Sequence, residues 1–276
     1  MDLIDTFPPR AKYLHFFSQL RQTFQYCCSG NMIYQTPYLV FGLLYFAVHL
    51  VHAISGGTNV TDGEAPYTVA INSLDWLGWT YTCGGVLIGT RSVITAAQCV
   101  DGKTTSQLSI RIGDTNRIAA PITGLVSQIL IHPNFDPISF QADIAVLTLN
   151  DAPSNIPSVS LEDVSTTEGS QVTLFGWGKI HLLDLISPTQ LQQTNVSVVT
   201  AANCARKDGL VHPGQFCDQS TAGNRGACTG DQGGPVINSN GRLVGIISSP
   251  ENCGLASLEV NTDTVYYRSW ILSKVQ

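Results

Sequence analysis

What constrains this chain most is its punctuation. From Tyr67 onward the apolar residues come in short alternating or continuous runs at 67–71, 81–88, 92–96, 108–112, 125–131 and 144–149, separated by Gly, Pro, Asn and Asp clusters. After a loop at 150–158 a second set follows at 171–175, 191–199, 235–238, 243–248 and 258–262. Runs this short, bounded by turn residues, suit strands and not helices, and their number predicts an all-β barrel or sandwich. Only the end departs from the rhythm. There Asp263 or Thr264 offers a cap for a helix through Lys274, with Val265, Tyr267, Trp270 and Ile271 on its apolar face.

Charged residues make up 12% of the 276 and the formal net charge is −6, which argues against nucleic-acid binding. No spacing of metal ligands and no internal repeat stands out, so neither a metal nor another cofactor is expected. Ahead of the strands, an apolar run at 38–51 has the length of a signal-peptide core and ends in Val51-His52-Ala53, modest residues that suit signal peptidase. Met32 lies just upstream of that run. The expected organisation is therefore an upstream gene-model extension at 1–31, a signal peptide at 32–53 and one domain at 54–276, secreted to the extracellular space. The rival is a signal anchor flanked by Arg10, Lys12 and Arg21. Of eight cysteines only Cys27 and Cys28 precede the domain, and sequons at Asn59 and Asn195 suit the same secretory, glycosylated route.

Three motifs carry the chemistry. Residues 94–100 read I-T-A-A-Q-C-V, 143–147 read D-I-A-V-L, and 227–236 read A-C-T-G-D-Q-G-G-P-V, with Gly176-Trp177-Gly178 between the last two. In order and spacing they resemble the T-A-A-H-C, D-I-A-L and G-D-S-G-G-P motifs of the chymotrypsin/trypsin-like serine protease family. The resemblance spans residues 54–276 and implies a double six-stranded β-barrel with a C-terminal helix. It places Gln98 where the family has its general-base histidine, Gln232 where it has its nucleophilic serine, and Asp143 at the retained aspartate. A carboxamide neither titrates near neutral pH nor serves as a nucleophile, so the expectation is a non-catalytic homologue and not an enzyme.

The same resemblance implies further roles. The pairs Cys83 with Cys99, Cys204 with Cys217 and Cys228 with Cys253 would be disulfides. The backbone of Gly230 and Gln232 would form the oxyanion hole, and Ile54, once exposed as a new N-terminus, would pair with Asp231. Gly226, Pro250 and Glu259 fall on the specificity pocket; with glycine at Gly226, no buried anion is expected at its base, and Pro250 removes an N–H that would pair with substrate. Within the family, residues 99–112 look like mite allergen trypsins, and with the altered triad they resemble the inactivated paralogues of parasitic mites. That implies a monomeric secreted protein that binds other proteins, inhibiting or decoying host defence components such as complement. Two other readings remain: a hydrolase with residual activity, resting on Asp143, Asp231 and Gly230, and a regulatory cofactor of an active protease cascade. The absence of a cysteine-rich module ahead of Ile54 weakens the cofactor reading.

Overall fold

In a computed structural model, the described residues are 54–276 apart from 182, 201, 205–210, 221–224, 250–252 and 254–257. The extension, signal-peptide and Pro250 expectations lie outside them.

The first half of the domain is a closed antiparallel barrel. Strands β2 (Thr68–Asp75), β3 (Gly78–Ile88), β4 (Ser92–Thr95), β5 (Leu108–Ile112), β6 (Ile122–Ile131) and β7 (Ala145–Leu149) close in the order β2-β3-β4-β7-β6-β5. Their inward side chains, among them Val69, Ile71, Leu87, Ile110 and Leu147, form one core. Each fully buried aliphatic side chain of this kind contributes about 1.5–3 kcal/mol.

The second half is a ring of β8 (Gln171–Gly176), β9 (Gln192–Val199), β10 (Gln215–Gln219), β13 (Glu259–Asp263), β12 (Leu243–Ser249) and β11 (Pro235–Asn238), closed by the pairing of β8 with β9. A two-residue strand, β1 (Thr58–Asn59), adds to the outside of β9. Period-two alternation is plain along β9, where Thr194, Val196 and Val198 are buried and Asn195 between them is exposed. Ile54, Val172, Leu174, Val236 and Ile247 share the core of this barrel. A third cluster, including Ile94, Ile144, Trp177, Ile246 and Tyr267, draws on both halves. The double six-stranded barrel expected from the resemblance is therefore the observed fold.

Two strands escaped the sequence reading. β10 reads Gln-Phe-Cys-Asp-Gln, too polar to look like a strand, yet its first four residues are buried. The polarity is partly satisfied inside: Gln215 Nε2 donates to the Phe140 carbonyl (2.9 Å) and Asn261 Nδ2 donates to Asp218 Oδ2 (2.6 Å), while Asp218 Oδ1 is buried without a partner among the described residues. β1 is too short to show periodicity.

The final helix, α1 (Arg268–Leu272), is shorter than expected. Asp263 Oδ1 accepts from the backbone N–H of Val265 (2.8 Å) and Tyr266 (3.1 Å), which holds a turn where the helix was expected to begin. The apolar face survives, with Tyr267 and Ile271 buried and Trp270 packed against them. Among the described residues, no helix is long and apolar enough to cross a membrane.

Candidate active site

The three motifs converge from distant parts of the chain. Gln98 sits in the 3-10 turn Ala97–Cys99 that follows β4, and Asp143 lies two residues ahead of the start of β7, the strand paired with β4. Gln232 lies on a loop pressed against the first barrel: Gly84 of β3 donates its N–H to the Gln232 carbonyl (2.8 Å), and Gly233 donates to Ile247 of β12 (2.7 Å). Gly233 has φ +79°, and a Cβ there would collide with Thr95 Oγ1 and the Gly84 carbonyl, so this approach requires glycine.

Asp143 is fully buried and its carboxylate is enclosed by donors. Oδ1 accepts the Gln98 backbone N–H (2.9 Å), while Oδ2 accepts both Gln98 Nε2 (2.6 Å) and Ser248 Oγ (2.6 Å). Burial pushes its pKa up, and the bonds from Ser248 and Gln98 oppose that rise. The other hydrogen of the Gln98 amide goes to the Ser248 carbonyl (2.9 Å), so both of its donors point inward.

Gln232 turns back onto its own loop. Its Oε1 accepts the N–H of Gly230 (2.7 Å), the amide that the resemblance assigns to oxyanion binding. The Gly230 carbonyl is held in turn by the Tyr81 hydroxyl (2.7 Å). Burial, with the Asp231 charge second, drives the Tyr81 phenol far above its ordinary pKa, so it stays protonated as a donor.

Asp231 is buried beneath this loop. Its carboxylate accepts from Gly178 (2.6 Å) and Cys228 (2.8 Å), and a Cβ on Gly178 would overlap it, which accounts for the glycine after Trp177. Desolvation raises its pKa to about 7. Ile54 is buried in the second-barrel core, and its chain runs unbroken into the preceding residue. The ion pair expected between Ile54 and Asp231 belongs to a chain whose N-terminus is Ile54.

One pocket expectation is corrected. Gly226 does leave room, but the room is filled by a buried acidic side chain: Glu259 Oε2 accepts the Ala227 N–H (2.8 Å), and a Cβ on Gly226 would collide with Glu259 Oε1. The side chain arrives from β13; the resemblance placed Glu259 on the specificity pocket but not against Gly226.

The sulfur pairs Cys83–Cys99, Cys204–Cys217 and Cys228–Cys253 are disulfide-bonded. The first joins β3 to the Gln98 turn and the third anchors the segment leading to Gln232. Both sequon asparagines are exposed; Asn195 Oδ1 accepts from Thr173 Oγ1 (2.8 Å) and Asn59 Oδ1 from Gln192 Nε2. His132 packs edge-on to Tyr267 and Trp270, and burial lowers its pKa. Sequence reasoning missed the parts played by Ser248 and Tyr81. Tyr81 in particular carries no signal, since its partner lies 149 residues away.

A double barrel with a buried aspartate at the junction and a glycine-rich loop facing it defines the chymotrypsin-like serine protease class. The Trypsin family model matches residues 54–271, and this chain belongs to the trypsin family. It is similar to Trypsin delta of Drosophila melanogaster, 28% identical over 228 residues that cover 80% of this chain and 87% of the relative. It is also similar to the mite protein Trypsin Blo t 3 of Blomia tropicalis, 31% identical over 233 residues covering 80% and 85%. These relatives correct the expectation that the chain is not an enzyme: they are named trypsins, and trypsins are proteases. The motif argument bore on one mechanism, the serine–histidine relay, and not on the class of protein.

Proposed function

We propose that this trypsin-family protein is secreted and acts on other proteins by binding them, inhibiting or decoying host defence proteins such as complement components. The observation that carries the reading is how the cleft's polar groups are used. Gln98 spends both amide hydrogens on Asp143 and Ser248, and Gln232 covers the Gly230 N–H. Groups already bonded within the protein are held rigid, which favours recognition by a preformed surface.

Hydrolysis is the second reading, favoured by the company of named trypsins and by Asp143, Asp231 and Gly230. Any such chemistry has to run around two side chains that neither titrate nor attack. The two readings separate by experiment. The full-length chain is passed over an immobilised panel of complement proteins and, in parallel, incubated with a mixed peptide library. Saturable binding to a panel member is the expected result. Library turnover with no binding anywhere on the panel would overturn the binding reading.

A further inference from the structure

Two cavities are both lined by Tyr81 and Arg117 and so adjoin; together they are called the groove. The larger, about 600 Å³, opens beside Gln98 and Gln232 and is lined further on by Lys179, Leu185 and Ile186. The smaller, about 290 Å³, is lined by Trp79, Arg111 and Ile118. Among the lining residues Trp79 is 50% exposed and Leu185 is 95% exposed. Single exposed apolar residues need no explanation, but an exposed tryptophan and aliphatics lining one groove have the chemistry of a recognition surface.

The groove's charge is opposite to that of the chain. Arg111, Arg117 and Lys179 line it and no Asp or Glu is among the described lining residues, although the formal net charge is −6. Two of the cations are fixed in place. Arg117 lies 4.7 Å over the Tyr81 ring while its Nε and Nη2 donate to the Pro188 (2.9 Å) and Ser187 (3.0 Å) carbonyls, and Arg111 Nη1 donates to the Ala120 carbonyl (2.6 Å). Pre-positioned guanidinium groups lose little entropy when a carboxylate arrives.

We propose that this groove docks an acidic peptide segment of a partner protein, one that carries apolar side chains beside its carboxylates. The inference rests on the protein-binding reading and names the surface and the partner's chemistry.

Fluorescence anisotropy of the full-length chain with a labelled peptide of alternating Glu and Leu tests it, beside the same peptide with Gln for Glu and a heparin oligosaccharide. The acidic peptide is expected to bind about tenfold tighter than its Gln counterpart and to weaken between about 0.05 and 0.5 M salt. Lys179→Glu and Trp79→Ser, each checked for folding by circular dichroism, should weaken it about fivefold, while Lys274→Glu beyond α1 should not. Equal affinity for the two peptides, binding of heparin alone, or indifference to Lys179→Glu would overturn the proposal. Binding to the complement panel that persists in Lys179→Glu while the acidic peptide fails to bind would discard the groove and leave the binding reading standing.

Discussion

Gln98 and Asp143 are joined twice, the backbone N–H of Gln98 to Oδ1 at 2.9 Å and its side-chain amide to Oδ2 at 2.6 Å. The carboxylate is buried, so each lost donor leaves charge without compensation. Gln98→Ala removes one donor and is expected to cost about 1–3 kcal/mol, seen as a lower midpoint in chemical denaturation. Gln98→His restores a ring N–H for the same carboxylate and should recover most of that loss. Equal destabilisation by the two variants would mean that the side-chain bond contributes nothing.

Gln232 is expected to behave differently. Its Oε1 caps the Gly230 N–H at the edge of an open cleft, where water can replace it. Gln232→Ala should therefore change stability by less than about 1 kcal/mol while accelerating hydrogen exchange at Gly230. Unchanged exchange would show that the cap is not formed in solution.

The buried acids set a pH dependence. Asp218 and Asp231 each have a pKa raised to about 7 by desolvation. The folded state then holds protons that the unfolded state releases near its ordinary value of 3.8. Their contribution is fully present below that value and is lost as pH rises through about 7. Thermal midpoints should fall between about pH 4 and about pH 7 and level off above, and Asp231→Asn should flatten part of the slope. A chain beginning at Ile54 would bring an ammonium to Asp231, hold it ionised and reduce the loss at alkaline pH. A pH-independent midpoint in the uncut chain would contradict this account of the acids.

Glu259 and Gly226 are coupled by space. A methyl group at Gly226 would meet the Glu259 carboxylate, so Gly226→Ala is expected to cost about 1–3 kcal/mol, and less in a Glu259→Ala background. Additive effects in a double-mutant cycle would place the Glu259 side chain elsewhere.

Most strands were legible because their apolar runs are short and bounded by turn residues, and the site was legible because its motifs are local. What escaped was non-local. β10 hides behind Gln215 and Asp218, whose partners come from Phe140 and Asn261. Glu259 reaches Gly226 across the barrel, and Tyr81 reaches Gly230 from the other half of the domain. The late start of the last helix was not legible: Asp263 bonds the N–H groups of Val265 and Tyr266 as a cap residue does, yet regular helix follows only from Arg268. The N-terminal reading lies outside the described residues.

The central claim, protein binding directed at host defence, is tested most directly by complement-mediated lysis of red cells titrated with the full-length chain. The account predicts a dose-dependent fall in lysis that Gln98→Ala and Gln232→Ala, once shown to be folded, leave unchanged. Lysis that stays constant up to saturating protein would contradict it.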